Sequence, residues 1–227
     1  VTAAKALYGP YWEKDPRCRI LYYGIDLAPF AHPVDRKKVR EEIGLPEEAL
    51  VLGHIGRFAP QKNHDFLIDI AAELVKREPK THLLLVGDGP LMSIVEAKVI
   101  RLGFADKVHF LGVRSDVPRL MMGAMDGFLF PSHYEGLGLV VIEAQAAGLP
   151  CVISDVVPGE ADVVSEMVCR LSLKDNASKW AESILNNARF SKIPSEQTIT
   201  LMFESKFNIL ENLNRLEAIY ADCSPQK

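Results

Sequence analysis

From residue 51 onward, short runs of Val, Leu and Ile alternate with longer amphipathic stretches, and few folds accept that rhythm. VLGHIG (51–56), HLLLVG (82–87), VHFLG (108–112), GFLFPS (127–132) and CVIS (151–154) read as strands, with VCRLSL (168–173) a weaker sixth. DFLIDIAAELVKRE (65–78), LMSIVEAKVIRLG (91–103), DVPRLMMGA (116–124) and LGLVVIEAQAA (137–147) read as the helices between them. Gly103 is placed to end one helix, Gly148 and Pro150 another, and Ser115 or Asp116 to cap a third. Strands apolar on both faces, each followed by a crossover helix, demand a parallel sheet covered on both sides. The predicted class is α/β, a doubly wound, Rossmann-like parallel sheet. Such folds bind ligands beyond the carboxyl ends of their strands.

The two ends of the 227-residue chain break this pattern. Residues 1–24 hold one helical fragment and the apolar piece RILYYG, while 175–190 and 203–221 read as further helices. Composition narrows function mainly by exclusion. A net charge of -4 with no long run of Lys and Arg argues against nucleic acid as a partner. The apolar runs are far too short to cross a bilayer, and VTAAKALYGPYWEKD lacks the basic-then-apolar order of a signal peptide. Cys18, Cys151, Cys169 and Cys223 share no CxxC spacing and read as reduced thiols. The six His residues form no ligand pattern, so no metal is expected.

The polar residues at strand ends are informative. After the first strand, GRFAPQKN brings Gly56, Arg57 and Lys62 to the mouth of the next helix, and both cations suit phosphate oxygens. Two solvated surface cations would leave the same trace. After the second strand, GDGP gives Gly87 and Gly89 freedom for close backbone approach, with Pro90 suited to a first helical turn. An ordinary strand-to-helix turn would read alike, and the dinucleotide fingerprint is incomplete here. After the fourth strand, Gly136 and Gly138 leave amides open where a helix begins, which favours phosphate. Glu135 precedes that helix, where a simple N-terminal charge effect would also explain it. Glu143 lies among Val140, Val141, Ile142, Ala144, Ala146 and Ala147. It needs either one exposed edge or hydrogen-bond donors such as ligand hydroxyls.

Strand-GR-x4-K, then GDGP, then FLFPSHYEGLGLVVIEAQAAGLPCVISD closely resembles the nucleotide-sugar-binding half of the group 1 (family 4) glycosyltransferases, which have the GT-B fold. Glu135 and Glu143 match that family's E-x7-E pair, and the resemblance runs from YGIDLAPF to the final helix. It implies a retaining transfer of a sugar from a nucleoside diphosphate to a glycan or lipid-linked acceptor, in polysaccharide biosynthesis. Arg57 and Lys62 would hold the diphosphate, helped by the amides of Gly136, Leu137, Gly138 and Leu139. Glu143 would bond the ribose hydroxyls, Leu139 would pack beside the nucleotide, and Glu135 would touch the donor sugar near its reacting carbon. Backbone near Gly56, Gly87, Gly89 and Val113 would border the nucleotide. No cofactor or metal is implied; a UDP-sugar is the first expectation for the donor and a GDP-sugar the second.

Relative to the family pattern, the acceptor-binding amino-terminal domain is missing. Residues 1–24 are expected to be the remnant and linker of that domain, 25–205 the donor-binding domain, and 206–227 a helix that packs back on the missing part. Such a fragment is expected to turn over little. The family style implies a cytoplasmic protein, at the inner membrane face through peripheral association of the full-length form. Two other classes stay open: another GT-B enzyme such as a sugar-nucleotide epimerase, and a non-catalytic nucleotide-sugar binding module.

Overall fold

In the computed structural model, which describes residues 2–15, 18–186 and 195–222, the expected parallel sheet is present. Among the described residues it has six strands: β1 (Leu50–Ile55), β2 (Thr81–Val86), β3 (Val108–Phe110), β4 (Gly127–Phe130), β5 (Cys151–Ser154) and β6 (Val168–Leu171). Their order is β3-β2-β1-β4-β5-β6, and every neighbouring pair is parallel. Consecutive strands lie apart at β3 and β4, so the winding direction reverses between β1 and β4. That reversal is the switch point at which doubly wound sheets open a crevice.

The helices are α1 (Thr2–Tyr8), α2 (Arg36–Glu42), α3 (His64–Arg77), α4 (Met92–Leu102), α5 (Val117–Gly123), α6 (Leu139–Ala146), α7 (Ala177–Asn186), α8 (Ser195–Phe203) and α9 (Ile209–Asp222). The apolar faces of α3, α4 and α7 (Leu67, Ile70, Leu74, Val95, Val99 and Trp180 among them) share one core with Leu52, Leu83, Leu85, Leu129 and Val152 of the sheet. β2 is buried along its whole length, and residues 83–86 of it are accordingly a continuous apolar run. Gly103 and Gly148 end α4 and α6 in the left-handed conformation, at φ 78° and 73°.

Several expectations are corrected. Asp116 stands at the N-cap of α5 but its side chain does not cap it. Its carboxylate instead accepts from Arg114 and Arg119, charged donors that outcompete an amide. Pro90 lies two residues ahead of α4, which starts at Met92, so it is outside the first turn. The helix expected over 203–221 begins at Ile209, and α8 ends at Phe203 just before it. The helix expected over 175–190 spans Ala177–Asn186; residues 187–190 lie outside the described residues, as does Cys223. Cys18, Cys151 and Cys169 are free thiols. The chain divides into two compact units, Leu27–Ser205 and Val1–Asp26 with Lys206–Lys227. In the smaller unit Ile25 bridges to Asn208 and the Tyr22 ring meets Phe207 edge-on at 5.5 Å. No helix among the described residues is long and apolar enough to cross a membrane.

Candidate functional site

β1 pairs with β2 from Leu50 to Ile55 but with β4 only through Leu52 and Gly53. The two strands therefore part toward their carboxyl ends, and the loops after them face the resulting crevice. Cross-bonds tie these loops together. His133 N–H donates to the Gln61 carbonyl at 2.8 Å, the Gln61 amide to the Tyr134 carbonyl at 3.0 Å, and Asn63 to the Pro131 carbonyl at 3.0 Å. Asn63, in the left-handed conformation at φ 54°, turns the chain into α3.

This frame brings Lys62 onto Glu135. Lys62 Nζ donates to Glu135 Oε1 at 2.7 Å and lies 4.6 Å from the centre of the Phe130 ring. The two side chains are only 16% and 6% exposed, so each charge compensates the other where water is scarce. Gly56 packs against the Lys62 stem, where a Cβ would come within 3.2 Å of Cε. Arg57, next along the loop, is exposed, and no carboxylate pairs with it among the described residues.

The GDGP turn sits directly behind this loop. A Cβ on Gly87 would lie 2.1 Å from the Gly56 carbonyl oxygen, and one on Gly89 2.6 Å from that of Phe58. Phe58 in turn donates to the Asp88 carbonyl and accepts from Leu91 N–H. These glycines hold the Arg57 loop by letting two backbones touch. Gly87→Ala is expected to cost about 2 kcal/mol or more in chemical denaturation, since Gly87 also has a φ of 135°. Gly87 N–H donates to the Gly112 carbonyl, which sets Val113, 79% exposed, beside the turn.

Gly138 begins α6 at φ 82°, a conformation few other residues adopt, with Gly136 exposed and Leu137 and Leu139 half-buried ahead of and at its first turn. Along α6, Val141, Ile142, Ala144, Gln145 and Ala146 are buried, and Glu143 is half-buried. Burial pushes the Glu143 carboxyl above its ordinary range, and no donor meets it among the described residues. The exposed edge that a Glu there required is thus present. Among the described residues, neither Glu143 nor Arg57 is hydrogen-bonded or ion-paired to the Lys62–Glu135 pair.

Sequence reasoning passed over three contributors. His54 and His64 are fully buried beneath Lys62. Gln145 donates to the Val141 and Ala161 carbonyls and accepts from Val164 N–H, fixing the loop after β5 to α6. A buried Gln beside Glu143 was the available signal for the last. Among the described residues no cluster of three His, Cys, Asp or Glu side chains could hold a metal. A cavity of about 430 Å³ lies at the opposite, amino end of β1, β4 and β5, lined by Leu50, Leu52, Phe128 and Ile184. Its polar groups, Arg36 and Asp126, are already ion-paired, so the crevice is the better-equipped place for a polar ligand.

The chain matches the profile of the glycosyl transferases group 1 over residues 35–189. It belongs to that family. A Bacillus subtilis protein named as a glycosyltransferase, EpsF, is 35% identical over 96% of this chain and 57% of its own length. The Escherichia coli UDP-Gal:alpha-D-GlcNAc-diphosphoundecaprenol alpha-1,3-galactosyltransferase is 26% identical over 92% of this chain and 55% of its own. The chain spans about half the length of these relatives. The crystal structure of Anabaena HepE with UDP and glucose superposes with a TM-score of 0.75 at 23% identity, over 89% of this chain and 56% of that one. The family members so compared are glycosyltransferases of GT-B fold, and the Rossmann-like sheet found here has that architecture.

Proposed function

We propose that this chain is the donor-binding part of a retaining hexosyltransferase that takes its sugar from a nucleoside diphosphate, a UDP-sugar first and a GDP-sugar second. The observation that carries this reading is the buried Lys62–Glu135 pair, which joins the loop after β1 to the loop after β4 where those strands part. Arg57 and Lys62 would take the diphosphate, with the amides at the start of α6 facing the same charge. Glu143, raised by burial and without a donor of its own, would accept from the ribose hydroxyls. Gly87, Gly89 and Val113 would border the base, and Gly56 and Leu139 the nucleotide. The relatives named for a UDP-sugar and solved with UDP favour uridine over guanosine.

In the reaction the bond from the sugar's anomeric carbon to the phosphate oxygen breaks and a bond to the acceptor oxygen forms on the same face. The diphosphate leaves with the electron pair of the broken bond, and its departing oxygen takes the proton that the acceptor hydroxyl loses. Arg57 and Lys62 would stabilise that developing charge, which is where preorganised charge is most effective. Glu135 would orient the sugar's hydroxyls, remaining tied to Lys62 so that sugar and phosphate are held by one pair. The acceptor, a glycan or lipid-linked sugar, would be bound by parts beyond this chain, at the cytoplasmic face of a membrane.

Calorimetric titration with UDP, GDP and ADP in EDTA tests the reading. UDP is expected to bind without metal, and Glu143→Ala to weaken it roughly tenfold or more, the worth of one or two hydrogen bonds to a charged acceptor. Absence of binding by all three to the folded chain and to the full-length protein would refute it.

A further inference from the structure

The floor of the crevice is built from rings. Phe58 stacks on His64 with centroids 4.1 Å apart; His64 meets His54 edge-on at 4.8 Å; His54 lies 5.6 Å from Phe130; and Phe130 carries Lys62 Nζ on its face. This column joins the residue after Arg57 to the cation that holds Glu135. It stands where β1 and β4 part, and His54 Nδ1 lies 2.9 Å from the Leu129 carbonyl, where the strand ladder has stopped. A carbonyl only accepts, so Nδ1 carries the proton and Nε2 is a bare acceptor. That Nε2 and both nitrogens of His64 are buried without hydrogen-bond partners among the described residues.

A phenylalanine at 64 would fill the same space without polar atoms left unmet, a state that ordinarily costs stability. The position of the orphan acceptor explains what the imidazoles do. A Cβ at Gly56 would sit 3.3 Å from His54 Nε2 and 3.2 Å from Lys62 Cε, so the lone pair and the lysine stem flank the same α-carbon. Lys62 is thus held by three neighbours: the Phe130 ring of the column, the Gly56 backbone that also meets the lone pair, and Glu135. We propose that His54 and His64 are positioning residues: their neutral imidazoles brace Lys62 against Glu135 at the parting of β1 and β4, and so fix the cation that meets the diphosphate. The inference rests on the role given to Lys62 above.

The test is His64→Phe, which keeps the stack on Phe58 and removes the nitrogens, with His64→Met as the second variant should the first not fold. Two readouts are taken on each: UDP affinity, and hydrogen exchange of the Lys62 ammonium followed by ¹⁵N NMR. The variant is expected to melt at the same temperature or higher at pH 7. It is nonetheless expected to bind UDP about three- to tenfold more weakly, the range of coupling between side chains in contact, and to exchange the Lys62 ammonium severalfold faster. A purely structural role would move neither readout in a variant of undiminished stability, and unchanged values would overturn the proposal. If neither the unaltered chain nor the full-length protein binds UDP, GDP or ADP, the donor-site reading fails; the ammonium exchange still decides whether the imidazoles brace Lys62.

Discussion

Arg40→Met is expected to lower the stability of the sheet unit by about 3 kcal/mol, the scale of breaking a buried ion pair from one side. For a chain of this length that is a melting temperature lower by roughly 6–12 °C. Arg40 is 4% exposed on α2. Its guanidinium donates to the carbonyls of Glu47, Ala49 and Ala124 and to Asp126 Oδ2 at 2.7 Å. Asp126 also accepts from Val51 N–H and from Arg36, so one carboxylate ties α2 to β1 and to the turn before β4. Methionine fills much of the volume and satisfies none of those acceptors. Arg36→Met removes the more exposed partner of the same carboxylate and is expected to cost less than about 1 kcal/mol. Thermal melts of the two variants separate the cases, and equal effects would mean that burial at Arg40 is not what makes the pair matter.

The same helix shows where sequence reading ended. The strands were legible because parallel strands buried on both faces are written as apolar runs, and nothing else in the chain looks like VLGHIG or HLLLVG. α2 was not, because RKKVREE offers one apolar residue, Val39, and no periodicity; the helix is held by Arg40, whose partners come from two other segments, 46–49 and 124–126. The site divides the same way. Glu135, Arg57, Lys62 and Glu143 were visible because charge is conspicuous at the ends of apolar strands. The Lys62–Glu135 contact joins residues 73 apart, and no spacing encodes it. His54 and His64 offered only a failed metal pattern, since their significance lies in the rings and backbone that surround them.

Acid is expected to destabilise the fold well before its carboxylates are protonated, and the two buried imidazoles set the window. Burial first, then the neighbouring imidazole, with Lys62 a smaller influence, lowers His54 to about 3; burial and Lys62 lower His64 to about 4. Both are held neutral in the fold and are free to protonate in the unfolded chain near the ordinary 6.5. The unfolded state thus binds more protons below that pH. The stability is fully present above about pH 6.5 and is lost as pH falls toward 4 and 3. From pH 6.5 to 4.5 the two residues together remove about 4 kcal/mol, out of about 5–15 kcal/mol for a whole domain. His82 and His109, bonded to each other at 2.9 Å and both lowered chiefly by burial, act in the same direction. Glu143, raised by burial, acts in the opposite one, since charging it in the fold becomes unnecessary as pH falls. Urea denaturation at a series of pH values from 7.5 to 4.5 measures the slope, and His64→Phe is expected to flatten it by about 1 kcal/mol per pH unit below pH 6. A slope unaltered by that substitution would mean that His64 is protonated or solvated in the fold. The neutral floor beneath Lys62 would then fall with it, because a protonated His64 would repel the ammonium it is placed to brace.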